Sequence, residues 1–399
     1  MKFIIKKNTS KLTTIAVAFQ AGSCLELQKN YKMGTAHFLE HFLFKGTAKR
    51  NSFEMSREIA FYGGESNAYT SSEHVTFYIN IPIDHIEAGI EILHDMITNP
   101  IFPEAEFEKE KQVILEEFAS RGDSVGNVIH EKLSEAFYSN YLARPVIGTE
   151  ESINSITLDD VKRFYAEFYK KENMLISVCS SLKPATTEAL LEKYFGKQDG
   201  IVNFLLTPES TRVKKTKIVN IIRADLEQNH VVWAWPAFRH SSKDKFAAGM
   251  LASILGDGMD SRLFQEVREK ANLVYGIGCG ASADRTGGDF CIQFSTRPQN
   301  VEKAKDIILA EIAKIVGTPP TEEELQRAKN KGMTSIYRSW QSNDGVAMKV
   351  VGSFMMGKKV TSVSSSSRKL SKVTVDDVTR VARKIFSGKN VMVVAKKEA

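Results

Sequence analysis

The sequence predicts an α+β fold made of two homologous domains, each an antiparallel sheet with helices packed on one face. The first observation is length: a chain of 399 residues is too long for one ordinary core and fits two domains of about 200 residues. The second is an internal repeat that divides the chain into similar halves. Each repeat unit combines a helix with a strand, and such elements pack as a sheet covered by helices.

The repeat is clearest in a helix followed by a strand. Residues 157–164, TLDDVKRF, recur as residues 374–381, TVDDVTRV, and residues 173–176, NMLI, recur without a gap as residues 390–393, NVMV. A threonine precedes each helical stretch, where its side chain can cap the helix. The apolar run that follows is typical of a strand. The two copies therefore predict the same local structure twice.

A second, looser repeat has nearly the same spacing. Residues 103–107, PEAEF, parallel residues 321–325, TEEEL, and each opens a long helix after a turn that contains proline. The common spacing predicts duplicated halves, with one domain at residues 1–205 and the other at 206–399. The linker is expected near Lys197 to Lys217, where glycine, proline and a basic run interrupt the periodicity.

Composition excludes several classes of protein. The net charge of +6 is spread over turns and helix ends, so nucleic-acid binding is not expected. No segment approaches the roughly eighteen apolar residues of a membrane span, and the start MKFIIKKNTS is too poor in apolar residues for a signal peptide. The four cysteines lack the spacing of a zinc ribbon or a disulfide framework and indicate buried thiols in a reducing compartment. We therefore expect a cytoplasmic protein without a membrane partner.

The most informative motif is His37-Phe38-Leu39-Glu40-His41, an H-x-x-E-H sequence in a predicted helix. At about 100° per residue, His41 lies about 40° around the helix axis from His37, and Glu40 lies about 60° the other way. Two imidazoles and a carboxylate therefore share one helix face. Histidines at i and i+4 are a common pair of zinc ligands, and a neighbouring glutamate can take a proton from an activated water. The motif is a metallopeptidase signature, although eight histidines also allow a chance match.

A third zinc ligand is expected on the charged helix of residues 104–117, EAEFEKEKQVILEE. Glu110 and Glu117 are seven positions apart and so lie within about 20° of each other on one helix face. One of them can bind the metal while the other accepts a hydrogen bond from a histidine ring. Spacing alone does not choose between them, and the remaining glutamates fit a solvated helix surface.

Three stretches closely resemble the pitrilysin or inverzincin metallopeptidases, in the branch of mitochondrial processing peptidase and its small bacterial relatives. They are the run from Gly34 through Thr47, residues 63–68, GGESNA, and residues 113–117, VILEE. The resemblance covers nearly the whole chain. It implies one Zn²⁺ per chain, bound by His37, His41 and Glu117. It also implies that Glu40 is the general base and that Glu110 supports a histidine.

The two halves differ at the positions of the predicted metal site. Under the repeat, Glu110 corresponds to Ala328 and Glu117 to Ser335, and the second half has no H-x-x-E-H motif. We therefore expect one active site per chain. The resemblance implies that the two halves enclose a chamber, with zinc on the wall of the first.

A predicted hairpin is a candidate for substrate binding. Residues 66–70, SNAYT, and residues 75–81, VTFYINI, form two strands, and the first could be an open edge that accepts an extended peptide. The resemblance implies that substrate lies along the strand at Asn67 and Ala68. The alternative is an ordinary hairpin with Asn67 as a turn residue. His74 is expected to be structural rather than a ligand.

A stretch of the second half resembles another part of the family pattern. Residues 261–270, SRLFQEVREK, form an amphipathic helix that leads to Tyr275. Taken alone, Arg268 and Tyr275 would be a solvated cation and a half-buried ring. The resemblance instead implies that both reach across the chamber to the substrate backbone, where they could stabilise the developing oxyanion. Asn272 departs from the pattern, because relatives usually have glycine there, and this leaves open how the turn places Tyr275.

The favoured function is a zinc endopeptidase that acts on extended or unfolded peptides inside a chamber. The expected assembly is a homodimer. An alternative is the catalytic subunit of a hetero-oligomeric processing peptidase, in which a metal-free homologue supplies substrate contacts. A third hypothesis is a non-catalytic scaffold, which the complete set of metal-site residues disfavours.

Overall fold

The computed structural model describes residues 1–199, 213, 215–357 and 360–397. The predicted linker near Lys197 to Lys217 therefore falls mainly outside the described residues, which omit 200–212 and 214. The described strands and helices form two similar sets.

The strands of the first set are β1 (Lys2–Lys7), β2 (Leu12–Phe19), β3 (Glu65–Thr70), β4 (Val75–Pro82) and β5 (Met174–Ser180). Those of the second set are β6 (Lys217–Ile222), β7 (Asn229–Pro236), β8 (Val274–Ala281), β9 (Asp289–Thr296) and β10 (Val391–Lys396).

The α-helices, in chain order, are α1 (Cys24–Gln28), α2 (Thr35–Phe42), α3 (Ser52–Phe61), α4 (Ile86–Thr98), α5 (Glu104–Asp123), α6 (Val125–Phe137), α7 (Glu150–Ser155), α8 (Leu158–Phe168), α9 (Pro184–Phe195), α10 (Lys245–Gly256), α11 (Val301–Gly317), α12 (Glu322–Arg338), α13 (Asn343–Met355), α14 (Val363–Ser371) and α15 (Val375–Phe386). A π-helix spans Phe264–Lys270. Short 3₁₀ turns lie at Leu43–Lys45, Ile83–His85, Tyr141–Ala143, Lys171–Asn173 and Pro298–Asn300.

The repeated helix and strand form as predicted. Thr157 caps α8 and Thr374 caps α15, and each threonine side chain accepts a hydrogen bond from the backbone N–H three residues later. The strands that follow, β5 and β10, occupy the same place in their sheets. The local sequence signal of capping threonine and apolar run is therefore sufficient to define these elements.

The two sheets have the same strand order, β1-β5-β2-β4-β3 and β6-β10-β7-β9-β8. This confirms the predicted fold class of two homologous α+β domains. One detail differs from the prediction, because β1 pairs with β5 in parallel, and β6 pairs with β10 in parallel. The other pairings are antiparallel. The direction of β1 depends on a partner more than 150 positions away, which local patterns do not reveal.

The chain divides into two compact units that are not continuous in sequence. Unit 1 comprises Met1–Ser120, Pro145–Thr207 and Arg338–Thr361, and unit 2 comprises Arg121–Arg144, Pro208–Tyr337 and Ser362–Ala399. Helix α6, from the first half of the sequence, thus belongs to unit 2, and α13, from the second half, belongs to unit 1. The predicted boundary between residues 205 and 206 lies outside the described residues.

The exchanged helices cover the second face of each sheet. In unit 1, Ala16 and Ala18 of β2 pack with Ala347 and Val351 of α13, whereas Ile15 on the opposite face of β2 lies against α4. In unit 2, α6 packs on one face of the sheet, and α10, α11 and α15 pack with Trp233 and its neighbours on the other. The prediction placed helices on one face only, and the structure adds a helix to the other.

The cysteines and the helices bear on the expectations of buried thiols and of no membrane span. Cys24 and Cys179 are buried free thiols, while Cys279 and Cys291 are free and half-buried. Among the helices in the described ranges, none combines the length and the apolar character that crossing a membrane requires.

Candidate metal centre

Helix α2, which carries the H-x-x-E-H motif, begins at an enclosed glycine. Gly34 has φ +92°, in the left-handed region, and a Cβ at this position would lie 2.5 Å from the backbone oxygen of Ile147. The buried carboxylate of Glu26 accepts hydrogen bonds from the N–H groups of Gly34 at 3.1 Å and Ala36 at 2.9 Å. A negative charge here satisfies and stabilises the free N–H groups of the first turn. Glu26 and Gly34 together fix where α2 begins, and therefore where His37 points.

An aromatic cluster sets the position of α5 against α2. Phe38 stacks on Phe107 with ring centroids 4.8 Å apart, and Phe42 meets the same ring edge-on at 5.8 Å. All three side chains are buried. Glu110 follows Phe107 by about one helical turn and therefore faces α2, and Glu117 follows two turns later on the same side.

His37, His41 and Glu117 come together as a candidate metal site. The Oε2 atom of Glu117 lies 3.4 Å from Nε2 of His41 and 3.7 Å from Nε2 of His37, and ligand atoms of the three residues all lie within 4.8 Å of one another. Ligand atoms that share one tetrahedral zinc at about 2.0–2.2 Å are about 3.4 Å apart. The side chains are 12%, 23% and 37% exposed for His37, His41 and Glu117. The spacing therefore fits zinc, and the site is partly exposed to solvent.

Glu110 is bonded to a candidate ligand. Its Oε1 accepts a hydrogen bond from Nδ1 of His41 at 2.9 Å, and its other oxygen pairs with the ammonium group of Lys45. Burial alone would raise the pKa of Glu110, but the bonds from His41 and Lys45 outweigh it and lower the pKa. Burial would also lower the pKa of His41, yet the bonds to Glu110 and Glu117 raise it to about 9. Glu110 thus holds Nδ1 and leaves Nε2 directed toward Glu117.

Glu40 is buried beside this cluster. Glu40 is only 7% exposed. Its Oε2 accepts a hydrogen bond from Oγ1 of Thr70 at 2.5 Å. Burial raises the pKa of the Glu40 carboxyl, against the opposing effects of Thr70 and of the neighbouring His41. A carboxyl with a raised pKa is suited to accept a proton and return it near neutral pH.

Strand β3 is an edge strand whose last residue is bonded to Glu40. It pairs only with β4 among the described strands, and its last residue, Thr70, is the one bonded to Glu40. Asn67 is exposed, and its Oδ1 accepts a hydrogen bond from the N–H of Ala68 at 2.8 Å. Asn67 therefore lies within the strand and is not a turn residue.

His74 lies in the turn between β3 and β4, outside the metal cluster. Its Nδ1 is 3.0 Å from Oγ of Ser71, and its Nε2 is 3.3 Å from the hydroxyl of Tyr69. Burial lowers the pKa of His74 to about 4, so the ring is neutral at ordinary pH. In the described ranges, the group of His, Cys, Asp and Glu residues that could hold a metal is that of His37, His41 and Glu117.

Arg268 and Tyr275 lie together in unit 2. Arg268 is on the π-helix, a helix type often found at functional sites, and its guanidinium lies 5.3 Å from the ring centroid of Tyr275. Tyr275 is 80% exposed. Asn272, between them, has φ +52°, the left-handed conformation that glycine adopts freely and asparagine tolerates. Asparagine at this position therefore allows the left-handed turn.

Sequence reasoning missed three residues that position the site. Glu26 bonds to the start of α2, Lys45 pairs with Glu110, and Thr70 holds Glu40. Lys45 follows His41 by four positions, a helical spacing that could have indicated it. Glu26 and Thr70 are not related to α2 by any helical period, so only the tertiary structure identifies them.

Two family models match most of this chain. Residues 2–150 match the family model described as insulinase, peptidase family M16, and residues 155–331 match the model described as the peptidase M16 inactive domain. An uncharacterized zinc protease of Rickettsia felis is 30% identical over 366 residues, which cover 89% of this chain and 85% of the relative. A second, YmxG of Bacillus subtilis, is 27% identical over 388 residues, 96% of this chain and 93% of the relative. The chain belongs to peptidase family M16, the pitrilysin-like family, as the resemblance predicted.

Solved structures show the same fold. A crystal structure described as the peptidase M16 inactive domain from Pseudomonas fluorescens has a TM-score of 0.88 at 22% identity, covering 100% of this chain and 95% of that one. A protease from Helicobacter pylori has a TM-score of 0.87 at 21% identity, with coverage of 99% and 96%. At these identities the likeness concerns the fold.

Proposed function

We propose that this protein is a zinc-dependent endopeptidase that hydrolyses extended or unfolded peptides, with Glu40 as the general base. The observation that carries the proposal is the cluster of His37, His41 and Glu117 beside the buried carboxyl of Glu40. Membership of family M16, and the naming of relatives as zinc proteases, supports both the metal and the reaction.

The donor set suits a catalytic zinc site. Two imidazole nitrogens and one carboxylate oxygen leave a fourth coordination position open. Glu110 would keep the proton on Nδ1 of His41, so that Nε2 is the ligand atom. The chemistry that zinc supplies when bound there is Lewis-acid activation of a water molecule and of the scissile carbonyl.

Glu40 would move the proton. Thr70 binds Oε2 of Glu40, which leaves Oε1 to accept the proton of the attacking water. Glu40 then returns this proton to the leaving amine as the peptide bond breaks. Because burial raises the pKa of Glu40, the carboxyl can act as a base in the first step and as an acid in the second.

The edge of β3 would bind the substrate as an added strand. Such binding uses main-chain hydrogen bonds and therefore requires an extended peptide but tolerates many sequences. Thr70 joins the end of β3 to Glu40, so a peptide on this edge would pass the proposed base. The N–H of Ala68 would bind a substrate carbonyl once the side chain of Asn67 moves away from it.

Arg268 and Tyr275 would complete the substrate contacts. The exposed phenol of Tyr275 is free to donate a hydrogen bond, and the neighbouring guanidinium of Arg268 can do the same. Donors of this kind stabilise charge on the carbonyl oxygen in the transition state. Because this chain has both the metal ligands and these donors, we propose a homodimer rather than a subunit that depends on a metal-free homologue. Native mass measurement of the purified protein distinguishes the two assemblies.

The proposal is tested by Glu40→Gln, with Glu116→Gln as the matched control on an exposed position of α5. Glu40→Gln removes the base and keeps the shape, so we expect zinc to be retained and turnover of a peptide library to fall by about 10² or more. The control variant should cleave normally, and a chelator should abolish its activity. Near-normal turnover by Glu40→Gln, or activity that survives complete metal removal, would refute the proposed mechanism.

A further inference from the structure

We propose that a polar cavity at the start of β8 binds a carboxylate group of the peptide substrate. The cavity has a volume of about 470 Å³ and lies entirely within unit 2, where Arg268 and Arg297 both line it. The inference rests on the proposed peptidase function and adds a preference for negatively charged peptides.

Arg297 supplies an unneutralised positive charge. It directly follows β9 and is exposed, and its guanidinium has no ion pair or hydrogen bond with any part of the chain that is described. A guanidinium presents several N–H donors in one plane, a geometry that matches the two oxygens of a carboxylate. The cavity therefore offers a donor pair that no protein group satisfies.

Arg268 adds a second charge that is held in place without a strong counter-ion. Its guanidinium lies 4.6 Å from the ring centroid of Phe264 and 5.3 Å from that of Tyr275. The carboxylate of Glu269 is 3.8 Å from Nε of Arg268, beyond hydrogen-bonding distance. Stacking on two rings fixes the guanidinium, and its N–H groups stay available to a ligand.

The remaining lining is mostly polar and keeps the cavity positive. Gln228, Asn272 and Asn300 line it together with the two arginines, Glu269 is its acidic residue, and Leu273 and Val274 are its apolar residues. Asn300 makes no hydrogen bond that caps α11, so its amide is not committed there. Two guanidinium groups and one carboxylate leave one net positive charge, surrounded by neutral donors.

Arg297 is not part of the repeated scaffold. Strand β9 ends at Thr296 and is followed by Arg297, whereas the corresponding strand β4 ends at Pro82 and is followed by Ile83. Unit 1 therefore has no arginine at the equivalent strand end. The charge at this strand end is therefore a feature of unit 2 rather than of the shared scaffold.

A peptide offers a carboxylate either at its C-terminus or on an Asp or Glu side chain. Two peptide pairs separate these sources: one pair differs in a free versus an amidated C-terminus, and the other differs in Asp versus Asn beyond the cleaved bond. We expect the full-length protein to cleave the charged member of one pair with about tenfold higher kcat/KM, through a lower KM, as fits a charge-assisted hydrogen bond. The pair that shows the preference identifies the source.

Arg297→Gln should reduce the ratio of kcat/KM for the charged over the neutral peptide toward one. Arg297→Lys keeps the charge but loses the planar donor pair, so it should retain part of the preference. Arg239→Gln is the matched control, because Arg239 is also an exposed arginine of unit 2 but does not line the cavity. The proposal is overturned if neither peptide pair shows a preference, or if the preference survives Arg297→Gln.

Binding measurements separate this proposal from the proposed function. The fluorescence anisotropy of labelled peptides is measured with the full-length Glu40→Gln variant. Carboxylate-dependent binding by this variant, together with a wild-type protein that cleaves nothing, would support the carboxylate-binding role of the cavity and refute the peptidase function. Cleavage without any dependence on the carboxylate would refute only the carboxylate-binding role of the cavity. No binding of either member of a pair would also refute it.

Discussion

Unit 1 and unit 2 share a strand order and differ in the side chains that the common scaffold presents. In unit 1, α5 places Glu110 and Glu117 beside the histidines of α2. The repeat puts Ala328 and Ser335 at the corresponding positions of α12 in unit 2. The comparison shows that a handful of polar side chains, rather than the fold, distinguishes the candidate metal site from its counterpart.

The equivalent edge strands β3 and β8 differ in the same manner. Thr70, at the end of β3, is bonded to Glu40, so this edge is tied to the proposed base. Tyr275 is the second residue of β8, and Tyr275 and Arg268 both line the polar cavity. One unit therefore presents candidate chemistry, and the other presents candidate substrate contacts.

The strongest test of this division is Tyr275→Phe, which removes one hydroxyl from unit 2. If Tyr275 donates a hydrogen bond to the substrate, kcat/KM should fall by roughly 10- to 1000-fold, while zinc content and folding are unchanged. Tyr337→Phe is the matched control, because Tyr337 is another exposed tyrosine of unit 2. Equal activity of the two variants would mean that unit 2 supports the site only structurally.

The next prediction concerns the exchange of helices between the halves. Asn343, at the start of α13, is buried, accepts a hydrogen bond from Asn8 and donates one to the backbone oxygen of Leu12. Asn343→Ala removes both hydrogen bonds of this buried side chain and should lower the free energy of unfolding by about 2–3 kcal/mol in urea titrations. Asn127→Ala, at an exposed position of α6, should change it by less than about 0.5 kcal/mol. Similar values for both variants would mean that Asn343 does not anchor α13 to unit 1.

A smaller effect is expected on the pH dependence of stability, which His74 in the β3–β4 hairpin of unit 1 should produce. The folded-state pKa of His74 is about 4 and the unfolded value is about 6.5, so the unfolded chain binds the proton more readily between these values. Stability that depends on neutral His74 is present above pH 6.5 and is lost as the pH falls toward 4. The loss from pH 7 to pH 5 should be about 2 kcal/mol.

The turn between β8 and β9 in unit 2 contains no histidine, so the effect belongs to unit 1. His74→Gln should remove this part of the pH dependence in urea unfolding at the two pH values. His85→Gln changes an exposed histidine of unit 1 and should retain it. A pH dependence that is the same in wild type and in His74→Gln would contradict the assignment.

The sequence was sufficient for local elements and for the duplication. Capping threonines defined α8 and α15, and the H-x-x-E-H spacing placed His37 and His41 on one helix face. The choice between Glu110 and Glu117 came from the resemblance. Their contacts with His41 depend on the packing of Phe38 against Phe107, which joins residues far apart in sequence.

Sequence reasoning could not assign the exchanged helices to their sheets. Helices α6 and α13 each have an apolar face, and the pattern of such a face does not show which of two homologous sheets it covers. Helix α5 has 20 residues and spans about 30 Å, so the chain can leave one sheet before α6 begins. Which sheet α6 covers is decided by tertiary packing rather than by a local pattern.

The candidate metal site is tested by the zinc content of the full-length protein, measured by elemental analysis after zinc supplementation and dialysis. We expect about one zinc per chain, retained by Glu116→Gln and largely lost by Glu117→Gln, because of these two residues only Glu117 has an atom in the candidate ligand set. No zinc in the wild-type protein, or undiminished zinc in Glu117→Gln, would contradict the metal site. Two zinc ions per chain would contradict the division between the two units.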